Sequence, residues 1–370
     1  MKKYSWLIIF LFLSFFFFSQ SQEKYTSFSK NEKISFSSEA EKNCFSFISN
    51  ALYHNGAIYT NFLEKEYNPE YATGKEILSE SQGLFLLYAD SCQNKALFEE
   101  TFRFVKNYLD SGKIISYRYN PDTKNRFSVN AAIDDMRIAK ALFLAEKTFS
   151  ESSYRKKADI IAKQLLKTNV KNHYLYDFYD ENLKKTNESF TLCYADFVFM
   201  KEASKKNPQW EKVYNNMLSI VSNGYISDSF PFCQKTYLYK EKRYKIDENK
   251  INMIESLLTA YHLAQIGKCP KQTQEFLLQK INEGAIYSYY TIDGIPVNSE
   301  QSTAVYALSA SIGAILENEE LYEKSIEKMC TLQVTNPDSP IFGAFGDENT
   351  LEVYSYDNLM ALLAFRKGEL

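Results

Sequence analysis

Hydrophobic positions recur with a period close to 3.6 along almost the whole chain, and strict apolar/polar alternation is scarce. This pattern predicts helices over about 38–53, 79–91, 94–111, 130–148, 151–168, 189–203, 208–222, 249–266, 270–283, 299–316, 319–332 and 355–366, with few credible strands. The segments are of two kinds. One kind is rich in Ala and Leu and poor in charge, as in Ile138-Ala139-Lys140-Ala141-Leu142-Phe143-Leu144-Ala145 or Ala304-Val305-Tyr306-Ala307-Leu308. The other has one apolar and one charged face, as in Tyr154-Arg155-Lys156-Lys157-Ala158. A helix that is apolar nearly all round belongs inside, and a one-faced helix belongs outside.

The apolar kind begins near residues 80, 130, 189, 249, 299 and 355, so an inner–outer hairpin is written six times. This predicts an all-α fold, an (α/α)6 barrel or toroid of six inner and six outer helices. An open helical solenoid is the rival architecture. Solenoids favour short, uniform loops, whereas the stretches 112–129, 169–188 and 223–248 ahead of inner helices are long. Long loops gathered at one end of a rigid scaffold are where binding and catalysis concentrate.

Composition narrows the function classes. A net charge of −3 gives no electrostatic footprint for nucleic acid or an anionic membrane, so no nucleic-acid partner is expected. Lys2 and Lys3 precede an apolar run from Trp6 to Phe18 and then Ser19-Gln20-Ser21-Gln22, the layout of a secretory signal over 1–22. The run is short for a membrane span, and the absence of a clean Ala-x-Ala site leaves a retained N-terminal anchor as the alternative. Residues 23–37 read as a flexible lead-in and 38–370 as one domain, secreted or held at the cell surface and monomeric. The six Cys show no C-x-x-C spacing and the three His no H-x-x-x-H pair, so neither a metal site nor a cofactor is expected. Cys inside helical patterns are expected as buried free thiols.

The candidate chemistry is acidic and aromatic. Glu80 stands at the start of an apolar helix, where Ser79 reads as its N-cap and Gln82 completes a capping box. Asp134 and Asp135 open the next inner segment, Asp247 and Glu255 flank the start of the fourth, and Glu300 opens the fifth. Tyr354, Tyr356 and Asp357 open the sixth. With inner helices parallel, these mouths face one end, rimmed by Tyr117, Tyr119, Tyr237, Tyr239 and Tyr244. Convergent carboxylates and aromatic platforms are the minimum apparatus for glycoside hydrolysis. The helix dipole alone favours an acid in a first turn by a few tenths to about 1 kcal/mol, so capping competes with catalysis at each position. Glu255 also reads as an inner-helix acid paired with a Lys.

The motifs carry a resemblance. Ser79-Glu80-Ser81-Gln82-Gly83-Leu84 resembles the S-E-G-Q-G-Y motif of glycoside hydrolase family 8, in which the Glu is the general acid. Ala131-Ala132-Ile133-Asp134-Asp135-Met136-Arg137-Ile138-Ala139 is similar to the family's A-T-D-A-D-x-D-I-A stretch, with Asp135 on its second Asp and Ile133 and Arg137 replacing the other two. Ile246-Asp247-Glu248-Asn249-Lys250 stands where the family has Y-D-A-x-R, matching Asp247 to the general base and Lys250 to the Arg. Tyr117 stands at an aromatic stacking position, and Tyr354-Ser355-Tyr356-Asp357-Asn358 resembles the C-terminal tyrosine segment. The resemblance implies an inverting hydrolase of a β-1,4-linked polysaccharide that needs no metal or cofactor. Glu80 would be the acid and Asp247 the base, with Asp134, Asp135, Tyr117, Lys250 and Tyr356 on the substrate. It is similar to secreted proteins of exopolysaccharide operons in Gram-positive bacteria. A polysaccharide-binding protein without catalysis, a protein-binding helical scaffold and a lyase on the same toroid remain as alternatives.

Overall fold

Residues 34–246 and 250–367 are described by the computed structural model; the segment 1–22 and Asp247 lie outside them. The described residues form α1 (Glu39–Phe47), α2 (Ser79–Ser91), α3 (Lys95–Phe104), α4 (Ala132–Thr148), α5 (Ser152–Thr168) and α6 (Phe197–Ser204). They continue with α7 (Gln209–Asn223), α8 (Met253–Gln265), α9 (Lys271–Asn282), α10 (Thr303–Ile315), α11 (Glu319–Cys330) and α12 (Ser355–Phe365).

The even-numbered helices make a closed inner ring. Helix α2 packs on α4, α4 on α6, α6 on α8, α8 on α10, α10 on α12, and α12 returns to α2. That return excludes an open solenoid, and the protein is an (α/α)6 barrel. The burial pattern shows why. In α2 every residue from Ser81 to Asp90 is buried, and in α10 every residue from Thr303 to Gly313. The outer helix α5 buries only Tyr154, Ala158, Ile161, Ala162 and Leu165, one stripe at helical spacing. Each fully buried large apolar side chain contributes about 1.5–3 kcal/mol, so the inner ring cannot open without exposing most of the core.

Where α10 meets α11 the contact is set by a glycine. A Cβ on Gly313 would lie 2.8 Å from the backbone nitrogen of Tyr322 and 3.1 Å from the carbonyl oxygen of Asn318. Gly313→Ala is therefore expected to destabilise by about 2 kcal/mol, its gain in helix propensity outweighed by a clash that only backbone movement relieves. Urea unfolding checks this.

One predicted helix is only partly helical. The stretch 189–203 opens as the strand Ser189–Thr191 and a tight turn at Leu192–Tyr194, and α6 starts at Phe197. Phe190 and Leu192 are buried while Ser189 and Thr191 are half-buried, a period of two hidden within an apolar stretch. Short strands are also more numerous than the periodicity predicts, and they form a collar around the helix mouths. Ile77–Leu78 pairs with Arg118–Tyr119, Val129 bridges Asp180, and Ser189–Thr191 pairs with Thr236–Leu238. Ile251–Asn252 pairs with Tyr289–Tyr290, and Tyr354 bridges Asn61, which closes the circle. The collar sits at the N-terminal ends of the inner helices, so those ends share one face of the barrel.

All six cysteines are unpaired, and Cys44, Cys193 and Cys233 are buried. Among the described residues no helix is long and apolar enough to cross a membrane.

Candidate active site

The collar determines how the chain enters each inner helix, and this overturns the expected capping of α2. The N-cap is Leu78, and Ser79 is the first helical residue, because the Ser79 N–H is already engaged by the carbonyl of Tyr117 at 3.0 Å. The Ser79 hydroxyl instead donates to Asp134 Oδ2 at 2.7 Å. No capping box forms either. With its amide oriented to satisfy both groups, Gln82 donates to the Gly56 carbonyl at 2.7 Å and accepts from Ile58 N–H at 2.8 Å.

Glu80 follows in the first turn of α2, half-buried. No hydrogen bond or ion pair from the described residues reaches its carboxyl. Burial, reinforced by the negative charge of Asp134, raises its pKa from 4.5 to about 7, with Arg137 pulling the other way and Asp357 adding to the rise. Asp134 is buried and accepts from Arg137 Nη1 at 2.8 Å as well as from Ser79. Burial raises its pKa, while Arg137 and Ser79 oppose the shift. Arg137 reaches Asp134 by running beneath Gly83, where a Cβ would lie 3.1 Å from Arg137 Cδ.

Asp135 keeps different company. Its Oδ2 accepts from Asn130 Nδ2 at 2.9 Å, and Asn130 is bonded in turn to Asn169 and to the N–H of Tyr179. Burial holds its pKa well up. Asp134 therefore belongs to the Glu80 group, while Asp135 ties α4 to the loops behind it.

From the sixth inner helix, half-buried Tyr356 and Asp357 face the same group, and Glu80 and Arg137 are the charges that act most on the Tyr356 hydroxyl, whose pKa burial raises well above its ordinary value. Asp357 Oδ1 accepts from Ser302 Oγ and Ala304 N–H, each at 3.1 Å, so it caps α10 from a neighbouring helix. Tyr117 is half-buried, edge-on to Phe127 at 5.8 Å between ring centres, with its backbone against the first turn of α2. Lys250 is exposed and holds its ammonium 4.3 Å over the Tyr289 ring. Glu255 is bound by Lys235 at 2.9 Å, the ordinary inner-helix pairing considered from the sequence.

Two expected members are elsewhere. Glu300 is exposed ahead of α10, and its contribution to the collar is a backbone carbonyl that accepts from Ser288 N–H at 2.7 Å. Tyr119 is buried against Phe104 and Tyr108 rather than on the rim. Of the other rim aromatics, Tyr237 makes edge contacts with Tyr239 and Tyr244 at 5.7 and 5.1 Å.

Sequence reasoning missed Tyr194 and Asp177. Tyr194 lies in the turn before α6, facing Asp134 and Glu80. Asp177 accepts from Thr191 N–H at 2.7 Å and Thr191 Oγ at 2.8 Å, and burial raises its pKa to about 6. Asp177 sits in a loop with no helical period, and Tyr194 lies within the stretch 189–203 whose period reads as helix but which the structure opens as a strand and a turn, so no local signal marks either as part of the site.

A half-buried acid whose pKa is raised to about 7, flanked by a second carboxylate and two tyrosines, matches the motif around Glu80. The sequence profile described as Glycosyl hydrolases family 8 matches residues 68–338. The chain belongs to glycosyl hydrolase family 8. The family match takes in Glu80, Asp134, Asp135 and Lys250 and ends before α12, so Tyr356 and Asp357 lie beyond it.

Among solved structures, the chain is similar to one titled a novel α-amylase from Clostridium perfringens. The two are 34% identical with a TM-score of 0.83, over 89% of this chain and 97% of that one. PssZ from Listeria monocytogenes shares the fold at 21% identity and a TM-score of 0.69, over 90% of this chain and 96% of that one. YdaJ of Bacillus subtilis (strain 168), named as a lipoprotein, is 26% identical over 330 residues, covering 85% of both chains.

Proposed function

We propose that the protein is an exported, inverting glycoside hydrolase that cleaves a β-1,4-linked exopolysaccharide. The observation that carries the reading is the state of Glu80. A carboxyl with a pKa of about 7 and no partner among the described residues keeps its proton in a large share of molecules near neutrality, ready for a glycosidic oxygen. Asp247 is the proposed base, deprotonating a water that attacks C1 from the opposite face. An inverting pair needs about 6.5–9.5 Å between carboxyls to admit that water. Asp134, Tyr117, Tyr356 and Lys250 are proposed to contact the sugar chain, with Tyr117 and Tyr356 offering ring faces. Asp135 is proposed to support them by ordering Asn130 and its loop.

A second reading of the linkage rests on the 34% identity to the α-amylase, which favours an α-linked glucan. Both substrates call for a positioned acid and base, and the configuration of the first product separates them. Incubation with a panel of β-1,4-linked polysaccharides and soluble starch, followed by NMR of the newly formed reducing end, is the test. Inversion releases an α-anomer from a β-linked chain and a β-anomer from an α-linked one. Binding of the panel without turnover would replace the hydrolase with a polysaccharide-binding protein.

A further inference from the structure

We propose that Arg137 is a positioning residue that decides which of two neighbouring carboxyls, Glu80 or Asp134, carries the proton. It does so by holding Asp134 ionised. The proposal rests on the reading of Glu80 as the general acid.

Asp134 is buried and Glu80 half-buried beside it, and like charges so placed resist ionising together. Their environments differ in donors. Asp134 accepts from a buried guanidinium at 2.8 Å and from the Ser79 hydroxyl at 2.7 Å, one donor on each oxygen. Glu80 has no donor among the described residues. Charge-assisted bonds favour the ionised form, so Asp134 releases its proton first and its charge then keeps Glu80 protonated.

Arg137 is well placed to make this choice and has little freedom to do otherwise. Its side-chain exposure is 7%, and Gly83 packs over its methylenes. The charged and titratable groups facing it from other elements are Glu80 on α2, Tyr356 on α12, Asp196 at the cap of α6, His262 on α8 and Cys193 in the turn before α6. Asp196 is already bound to the buried Lys140 at 3.1 Å, which leaves Asp134 as the carboxylate that Arg137 bonds among the described residues. The groups facing Glu80 are Asp134 and Arg137 on α4, Tyr194 in the turn before α6, and Tyr356 and Asp357 on α12. Asp357 is bonded to the N-terminus of α10 and adds a smaller effect, so Asp134 is the carboxyl that acts most on Glu80.

The test compares pH profiles of kcat/KM for the wild type, Arg137→Met, Arg137→Lys and Asp134→Asn. It adds the infrared band of the protonated Glu80 carboxyl, assigned by its loss in Glu80→Gln. In Arg137→Met the proton is shared between the two carboxyls, and the plateau is expected to fall at least about twofold. With the cation gone, the basic limb should move up by about one pH unit. Arg137→Lys should keep the limb near its wild-type position. Asp134→Asn removes the neighbouring negative charge and should move the limb down. Opposite shifts from the two ends of one ion pair are not what a purely structural role produces. A lower plateau with the limb unmoved in both variants overturns the proposal, as do shifts of the same sign. Should Arg137→Met fail to fold by circular dichroism, an unmoved limb in Asp134→Asn alone overturns it. Retained turnover in Glu80→Gln would mark failure of the acid assignment, whereas the infrared titration reports the proton's location without reference to activity.

Discussion

Glu80→Gln is expected to lower kcat by roughly 100- to 10,000-fold on the polysaccharide substrate, the range a general acid contributes. The amide keeps the size of the side chain and removes the proton. In the wild type, kcat/KM should decline on the basic side as pH passes about 7, because the protonated form is the active one. The same residue should reveal itself in stability, with the opposite benefit. A carboxyl whose folded pKa is raised from 4.5 to about 7 holds its proton more tightly folded than unfolded. Its contribution is fully present below the unfolded value and is lost as pH rises through the folded one. Over that interval the loss is of order 2–3 kcal/mol, reduced to the extent that solvent reaches the half-buried group. Glu80→Gln should thus be more stable than the wild type at pH 8 and nearly equal at pH 4, read from urea midpoints. An acid that destabilises its own fold where it ionises is the usual stability cost of an active site.

Glu41→Ala should be among the most damaging single substitutions away from the site, at about 3–5 kcal/mol. Glu41 is fully buried. One oxygen accepts from Ser37 N–H at 2.6 Å and Ser37 Oγ at 2.9 Å, and the other from the Tyr88 hydroxyl at 2.8 Å and from Arg366 Nε. The residue thereby ties α1 to α2 and to the end of α12, where the ring closes. Its removal strands the Arg366 guanidinium, which is only 15% exposed, and leaves the Tyr88 hydroxyl without its acceptor. Glu41→Gln keeps an acceptor and should cost less. Thermal unfolding with residual activity checks both variants. Below its lowered Tm, Glu41→Ala should retain the wild-type pH profile, since Glu41 is not among the charges that set the pKa of Glu80.

The helices were legible because their periods are long and clean. The outer stripe Trp210, Val213, Met217, Ile220 and Val221 can be read from residue types alone. The collar was not legible, because a strand of two residues such as Ile77–Leu78 carries no period. The same short strand explains the error at Ser79. A hydroxyl before an apolar run reads as a cap, but backbone pairing with Tyr117 had already satisfied the N–H and freed the side chain for Asp134. Glu300 failed for a related reason. Helix propensity does not show that the chain between Ser288 and Ser302 is held by the collar before α10 begins at Thr303.

By itself the sequence determined the twelve-helix alternation and the division into inner and outer helices, and it singled out Glu80 as the candidate acid. These follow from residue type and local spacing, which any window of the chain contains. Only the tertiary structure decided that the ring closes through α12 on α2 and that Asp134, rather than Asp135, stands with Glu80. The fold also brings Tyr194, Tyr356 and Asp357 to the same mouth. A carboxyl's proton affinity is a property of its neighbours' charges and of the water they exclude, and here those neighbours arrive from segments far apart in the chain.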